Sequence, residues 1–273
     1  MLASPINPSD LIPVGGAYSH RTSLPFVPGF EGVGVIVEVG GEADPALIGR
    51  RVLPLGSAGA WQGWKVTTPD WCVGVPDDIS DEQAALAYLN PMTALAMIRI
   101  LDPGPGDVIG ITAGASAIGR MLARMIAVSG ARPLAIVRSQ HAKSALQDEP
   151  VEVMMEGGSL PRLTGALDAV GGALGEQVAN AVRSGGAFVH YGLLSGQALT
   201  NAGSADLKLF RLRDWVHSAP RADLHDAMGV AFEEVRSGRA RSTVAARYPL
   251  AAFKEALAHN ASAGREGKII LQM

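Results

Sequence analysis

The sequence predicts an α/β protein in which a β-rich region precedes a doubly wound parallel sheet. Residues 1 to 87 are rich in Pro and Gly and contain short β-type runs between turn signals. Beyond them strands alternate with helical segments, and one strand leads through a turn of small residues directly into a helix. Short strands with turn signals favour an antiparallel, barrel-like domain, and the alternation favours parallel βαβ units.

Composition narrows the class of protein. The chain has 273 residues, of which 48% are hydrophobic and 18% charged, so it can bury the core of one large or two ordinary domains. A net charge of −3 without a basic stripe does not favour nucleic acid or an anionic membrane surface. No run reaches about 20 apolar residues, so no membrane segment is expected. We expect a small-molecule substrate as the partner.

The single cysteine, Cys72, excludes an internal disulfide framework and a Cys-rich zinc site. Its solitary occurrence favours a reducing compartment, and we expect a cytoplasmic protein. The six histidines show no i, i+4 pair and no metal-ligand spacing with carboxylates, so they are interpreted as non-catalytic.

The β-rich region contains the runs VGVIVEV (33 to 39) and RRVLPL (50 to 55). A helical region follows, in which Ser80 is a candidate N-cap and Gln83 occupies the capping-box position. Further on, Pro91 in LNPMTAL is expected to break a helix and to leave Asn90 and Thr93 as polar side chains in an apolar setting.

Four strands are predicted in the alternating region, with helices between them: VIGIT, PLAIV, ALDAV and AFVHYG. After Ala219 come a helix over DLHDAMGVAFEEVRSG and a terminal strand, KIILQM. The predicted organisation is therefore a first part of a catalytic domain over residues 1 to 87, a nucleotide-binding domain over 88 to 218, and a return to the catalytic domain over 219 to 273.

The turn after VIGIT has the character of a phosphate-binding turn. Gly114, Ser116 and Gly119 stand where the pattern G-x-G-x-x-G has three glycines, and Ala117 and Ile118 open the helix that follows. Small residues allow the backbone to approach a pyrophosphate, and a helix N-terminus presents free N–H groups to it. Because serine replaces the middle glycine, an ordinary tight βα turn is the alternative.

The next strand, PLAIV, runs into Arg138 and Ser139. A protein that binds NADH usually has an acidic residue here, whereas an arginine suits the 2′-phosphate of NADPH. The predicted cofactor is therefore NADPH, and a solvated cation at a strand end is the alternative.

Seven segments occur in the order and approximate spacing of the medium-chain dehydrogenase/reductase superfamily: SPINPSDL, GGAY, LPFVPGFEGVGVIVEVG, AGAWQ, LAYLNPMTAL, PGPGDVIGITAGASAIGR and ALDAVGG. The sequence most resembles the 2-enoyl thioester reductase and quinone reductase branch, where serine also occupies the middle position of the fingerprint. This resemblance implies a GroES-like β-barrel catalytic domain and a Rossmann domain. It also implies a homodimer that is joined through the cofactor domains.

The same resemblance implies a zinc-independent enzyme. Zinc alcohol dehydrogenases carry Cys near the position of Asn7 and His at the position of Phe30, and one cysteine cannot supply their four-Cys lobe. Reduction of an activated C=C bond needs no metal, because the conjugated carbonyl accepts the electrons. We therefore expect an NADPH-dependent oxidoreductase that reduces such a bond by hydride transfer.

The resemblance assigns catalysis to Tyr18 and places Asn7 and Thr93 near the nicotinamide. A phenol can hydrogen-bond a carbonyl oxygen that becomes an enolate, although a structural tyrosine is the alternative. Thr93 is alternatively a simple N-cap. Further candidates are Gly192 and Leu193 as backbone contacts of the cofactor, at the edge where open α/β sheets bind ligands. Phe210 and Trp215 are candidates for the substrate pocket, or else for the core.

Two departures from the family are expected. Family members form β-strands before the point where this sequence begins, so the N-terminal part of the catalytic domain is expected to be absent and sheet edges to be exposed. Either the true start lies upstream, or the protein is a shortened one. The segment from 139 to 167 is compressed, which bears on the adenine side of the cofactor site. Three functions stay open: an enoyl thioester reductase, a quinone or enone reductase of broad range, and a nucleotide-binding but catalytically silent protein.

Overall fold

The computed structural model describes residues 1–16, 20 and 22–273 and divides into two compact units. The first unit comprises Met1–Met92 and Arg213–Met273, and the second comprises Thr93–Leu212. The boundaries predicted after residues 87 and 218 lie a few residues from these.

The strands are, in chain order, β1 (Ala3–Pro5), β2 (Gly34–Val35), β3 (Arg51–Pro54), β4 (Cys72–Gly74), β5 (Val108–Thr112), β6 (Arg132–Val137), β7 (Glu152–Met155), β8 (Gly165–Asp168), β9 (Ala187–His190), β10 (Asp206–Leu209), β11 (Val244–Pro249) and β12 (Lys268–Gln272). The α-helices are α1 (Pro8–Val14), α2 (Asp81–Ala85), α3 (Leu89–Leu101), α4 (Ala117–Val128), α5 (Gln140–Ser144), α6 (Gly172–Ala181), α7 (Leu212–Ser218), α8 (Arg221–Arg236) and α9 (Phe253–Ala261).

The first unit contains two small three-stranded sheets. In one, β2, β3 and β4 pair antiparallel, as the turn-rich sequence predicts. In the other, β12 lies between β1, which is antiparallel to it, and β11, which is parallel to it. Ile6, Trp61, Ala256, Ile269 and Leu271 form a buried cluster beside this sheet. The two ends of the chain thus share one sheet and one core.

The second unit is built on a six-stranded sheet in the order β10-β9-β8-β5-β6-β7, in which every pair is parallel. The strand order reverses between β5 and β8, which is the position where open α/β sheets bind ligands beyond the carboxyl ends of their strands. The fold class predicted from the sequence is confirmed.

Two strands of this sheet, β7 and β10, were not predicted. The segment from 139 to 167 contains α5 and β7, and β7 pairs with β6 at the edge of the sheet. The segment that the sequence analysis expects to be compressed thus holds one short helix of five residues and one short strand of four.

The helical region after Ser80 begins as predicted, since the Ser80 hydroxyl accepts a hydrogen bond from the Gln83 N–H at 3.4 Å. The expected break at Pro91 is misplaced. The interruption lies at residues 86–88, and α3 then begins at Leu89. Pro91 falls in the first turn of α3, where the missing N–H has no partner to lose. Within the described part of the chain, no helix is long and apolar enough to cross a membrane.

Candidate functional site

The turn between β5 and α4 has the geometry of a phosphate-binding turn. Ala113 adopts a positive φ of 50°, a conformation that is uncommon for a residue other than glycine and that is found in tight turns and functional sites. Ser116 is the N-cap of α4, and its hydroxyl accepts a hydrogen bond from the Gly119 N–H at 3.1 Å. Serine in place of the middle glycine therefore fixes the start of the helix.

Two glycines of this turn have no room for a side chain. A Cβ at Gly119 would lie 2.4 Å from the carbonyl oxygen of Gly114, and a Cβ at Gly114 would lie 2.4 Å from the Cβ of Ala135. Contacts under 3.0 Å with backbone or with a short buried side chain cannot be relieved by a rotation. The glycines bring α4 close to β5 and β6, as the dinucleotide fingerprint requires.

The first turn of α4 offers the donors that a pyrophosphate needs. The N–H groups of Ala117 and Ile118 open the helix and have no acceptor within it, and no acidic residue lies in this turn. The helix dipole adds a partial positive charge at the same end. The residues present therefore fit a dinucleotide phosphate group.

Arg138 follows the carboxyl end of β6, next to β5 in the sheet. Its side chain is exposed and forms no hydrogen bond or ion pair with any residue that the structure describes. Ser139 is the N-cap of α5 and accepts a hydrogen bond from the Ala142 N–H at 3.1 Å. The guanidinium is thus available to a ligand at the carboxyl edge of the sheet.

An aspartate and a histidine meet at the same edge, at the ends of β8 and β9. Nδ1 of His190 lies 2.7 Å from Oδ2 of Asp168, whose carboxylate is fully buried. The Thr112 hydroxyl donates to Oδ1 at 2.7 Å, and the N–H groups of Val170 and Gly171 donate at 3.0 Å each. Metal-ligand spacing in the sequence gives no signal for such a pair, because the two residues come from different strands.

The residues after β9 pack closely on the turn after β8. A Cβ at Gly192 would lie 2.8 Å from the Ala169 carbonyl oxygen, while the side chain of Leu193 is exposed. The hydroxyl of Tyr191 is buried without a hydrogen-bond partner among the described residues. Phe210 follows β10, is half-buried, and donates its N–H to the His190 carbonyl at 2.9 Å.

Asn7 lies in the first unit, at the centre of a buried polar network. Its Nδ2 donates to Oε1 of Glu31 at 2.8 Å, and its Oδ1 accepts from Nζ of Lys268. The other Glu31 oxygen accepts the N–H of Leu89, at the start of α3, at 2.7 Å. Asp10 accepts the N–H of Asn7 at 2.8 Å and so caps α1. The predicted site residue is therefore held by three charged groups, Asp10, Glu31 and Lys268.

Burial perturbs the acids and the base of this network. Desolvation raises the pKa of Asp10 to about 7, although hydrogen bonds from the Asn7 and Phe30 N–H groups act in the opposite direction. Desolvation also raises the pKa of Glu31 and lowers the pKa of Lys268, and the attraction between these two opposes both shifts. Each group is therefore less readily ionised here than in water.

The remaining predicted site residues are Tyr18, Thr93 and Trp215. Tyr18, the predicted catalytic residue, lies outside the described residues. Thr93 and Asn90 are half-buried on α3, so the expectation of buried polar side chains holds only in part. Trp215, on α7, is half-buried in the first unit.

Metal ligands are absent from the described ranges, in which no group of three or more His, Cys, Asp and Glu side chains is arranged to hold an ion. Cys72 is a free thiol whose pKa is raised by burial. At Phe30 only the backbone N–H enters the polar network, by donating to Asp10 at 2.8 Å. Zinc independence stays a prediction.

Comparison with known proteins agrees with this geometry. Residues 1–77 match the family model of the alcohol dehydrogenase GroES-like domain, and residues 159–271 match that of the zinc-binding dehydrogenases. The chain is 30% identical to the mitochondrial enoyl-[acyl-carrier-protein] reductase of Xenopus tropicalis, over 94% of this chain and 81% of the relative.

Solved structures show the same architecture. A Bacillus thuringiensis protein assigned as an NADPH:quinone reductase superposes with a TM-score of 0.92 at 33% identity, over all of this chain and 88% of that one. The Escherichia coli quinone oxidoreductase, solved in complex with NADPH, superposes with a TM-score of 0.86 at 24% identity, over all of this chain and 90% of that one. At 24% identity, the likeness to the Escherichia coli protein shows the fold alone.

Fold and turn together define a nicotinamide-dinucleotide-binding oxidoreductase. The chain belongs to the medium-chain dehydrogenase/reductase superfamily. The resemblance inferred from the sequence motifs is confirmed.

Proposed function

We propose that this enzyme uses NADPH to reduce a C=C bond conjugated to a carbonyl, with a 2-enoyl thioester as the substrate class. One observation carries the cofactor assignment: the side chain of Arg138 is exposed and forms no hydrogen bond or ion pair with any described residue. Arg138 follows β6, and the phosphate-binding turn follows the neighbouring strand β5. No acidic residue ends β6, so nothing there favours an unmodified ribose over a 2′-phosphate. A planar guanidinium binds a phosphate through two parallel hydrogen bonds.

The substrate class is supported by the Xenopus tropicalis relative, which is named as an enoyl reductase. When bound, the reduced nicotinamide supplies a hydride to the carbon β to the carbonyl. The protein then needs to orient the carbonyl, stabilise the enolate and deliver a proton. None of these tasks requires a metal.

Two residues are assigned to these tasks by the family resemblance. The Tyr18 hydroxyl donates a hydrogen bond to the substrate carbonyl oxygen and helps to protonate the α-carbon. Asn7 lines the substrate site, and its network with Glu31 and Lys268 fixes the orientation of its amide. An amide held by an acceptor on one side and a donor on the other cannot flip.

A quinone or enone of broader range is the second candidate substrate. It is favoured by the 33% identity to the Bacillus thuringiensis protein assigned as a quinone reductase. The two reactions share hydride transfer from NADPH and differ in the length of the acceptor that the protein accommodates.

We also propose that the enzyme is a homodimer joined at β10. This strand ends the parallel sheet, and its four residues are exposed, with Leu209 at 76%. An exposed strand with apolar side chains at a sheet edge is a surface that proteins usually cover. Pairing of β10 with its copy continues the sheet across the dimer.

The proposed reaction is tested by NADPH oxidation, followed at 340 nm with crotonyl-CoA and separately with 9,10-phenanthrenequinone. We expect a higher kcat/KM with crotonyl-CoA, and a reversed preference would support the second candidate. Gly119→Val provides a matched control, because its side chain would overlap the Gly114 carbonyl and abolish NADPH binding. Tight NADPH binding without turnover of either acceptor would contradict the proposed function.

A further inference from the structure

The contact between His190 and Asp168 has a defined direction. The Thr112 hydroxyl accepts a hydrogen bond from the Ala169 N–H at 2.9 Å, so its own proton points to Asp168. Backbone N–H groups supply two further donors to the same carboxylate. Since this carboxylate acts as an acceptor throughout, Nδ1 of His190 carries the proton that joins them. Nε2 is therefore the nitrogen with a free lone pair in the neutral ring.

Nε2 has no partner within the part of the chain that the structure describes, although the ring is only 15% exposed. Nε2 is not one of the fully buried polar atoms that lack a partner, so it reaches solvent and is accessible to a ligand. Here three other donors already satisfy the Asp168 carboxylate, so its burial does not depend on the imidazole. The arrangement instead fixes the ring and its tautomer.

The position of His190 in the sheet is the second observation that bears on its ligand. A doubly wound sheet binds a dinucleotide as two mononucleotide halves, one on each side of the strand-order reversal. Arg138 follows β6 on one side, where the adenosine half with its 2′-phosphate is proposed to bind. His190 ends β9, and its partner Asp168 ends β8, on the other side of the reversal.

We propose that His190 binds the nicotinamide half of the cofactor, with Nε2 accepting a hydrogen bond from a ribose hydroxyl and Asp168 acting as the positioning residue. The inference rests on the proposed cofactor and deepens it, by assigning the second half of the dinucleotide to a side chain. A ribose hydroxyl is the donor that a neutral Nε2 requires, and a lone pair on Nε2 repels a phosphate.

The test compares two ligands by isothermal titration calorimetry: NADPH, and 2′,5′-ADP, which contains the adenosine half alone. In His190→Leu, we expect a Kd for NADPH about three- to tenfold higher, as for the loss of one hydrogen bond, and a Kd for 2′,5′-ADP within about twofold of wild type. Arg138→Ala is the matched control, because it should weaken both ligands. Unchanged NADPH affinity in His190→Leu, or equal losses for both ligands, would overturn the proposal.

Two further measurements keep the result interpretable. His190→Gln retains a polar group at this position and should recover part of the NADPH affinity if His190→Leu proves unstable in thermal unfolding. Long-range ¹H–¹⁵N spectra of the imidazole should show the Nδ1–H tautomer. The chemical shift of Nε2 should change when NADPH binds but not when 2′,5′-ADP binds. The Nε2–H tautomer would contradict the assignment. If wild-type protein prefers NADH, the proposed choice of NADPH is wrong. The role of His190 can then be tested in the same way, with NADH in place of NADPH and ADP in place of 2′,5′-ADP.

Discussion

Nδ2 of Asn7 lies 2.8 Å from Oε1 of Glu31, and the oxygen of the same amide accepts a hydrogen bond from Lys268. A neutral amide thereby separates a buried carboxylate from a buried ammonium. Each charge would be costly alone, because an ion loses its hydration when it is buried. The first unit therefore depends on having both charges present together.

The first prediction follows from this dependence. Lys268→Met should lower the free energy of unfolding by about 3 to 5 kcal/mol, because it leaves the Glu31 carboxylate buried without a compensating cation. Adding Glu31→Gln to Lys268→Met should recover about 1 kcal/mol or more, since the uncompensated charge is then removed. Urea unfolding at pH 7 of both single variants and the double variant measures this coupling.

A matched control is Lys254→Met, which removes an exposed lysine from α9 and should change stability by no more than about 0.5 kcal/mol. Strictly additive effects of Lys268→Met and Glu31→Gln would show that the amide does not couple the two charges.

The second prediction concerns the cofactor. Arg138→Ala should weaken NADPH by about ten- to a hundredfold, since a charge-assisted hydrogen bond to phosphate contributes roughly 1.5 to 3 kcal/mol, and should leave NADH nearly unchanged. Fluorescence titration of both cofactors measures the difference. Arg132→Ala is the matched control, because Arg132 lies at the opposite end of β6 and pairs with Glu152 at 2.7 Å. Equal affinity of wild-type protein for NADH and NADPH would refute the assignment.

The third prediction is that catalysis requires no metal. The position that holds a zinc-binding histidine in zinc alcohol dehydrogenases is Phe30, and Cys72 is the only cysteine. Purified protein should contain no stoichiometric zinc by elemental analysis, and EDTA should leave turnover of crotonyl-CoA unchanged. Stoichiometric zinc together with loss of turnover in the chelator would show that this interpretation is wrong.

Local patterns predicted most of the fold, because buried parallel strands such as β5 and β6 are continuous apolar runs and the Gly114 turn has a fixed spacing. β10 was not predicted because its sequence, DLKL, contains no apolar run, and all four of its residues are exposed. The pairing of β1 with β12 joins the two ends of the chain, and no local pattern encodes such a contact.

The candidate site also has a part that local sequence patterns predict and a part that they do not. Gly114, Ser116 and Gly119 are neighbours in sequence, so their shared turn could be predicted. Asp168 and His190 are 22 residues apart and meet only because β8 and β9 lie side by side. The usable signal was that both residues end their strands, since the carboxyl ends of neighbouring parallel strands meet at one edge of the sheet.

The fourth prediction concerns assembly. Wild-type protein should sediment as a homodimer at micromolar concentration, and Leu209→Arg should shift it to a monomer, because a charge on β10 opposes pairing of that strand with its copy. Val66→Arg is the control, since this residue is exposed and belongs to the first unit, whereas β10 belongs to the second. A wild-type monomer, or a dimer that Leu209→Arg leaves intact, would count against assembly at β10.

The last prediction concerns Tyr18. If its hydroxyl stabilises the enolate as hydride arrives, Tyr18→Phe should lower kcat by on the order of a hundred- to a thousandfold with little change in KM, because the lost interaction forms mainly in the transition state. A tyrosine with a purely structural role would leave turnover nearly unchanged and cost about 1 kcal/mol of stability. Single-turnover oxidation of bound NADPH by an enoyl thioester, with thermal unfolding alongside, separates the two roles. Equal hydride-transfer rates in both proteins would remove Tyr18 from the mechanism and leave positioning of the substrate over the nicotinamide as the main source of catalysis.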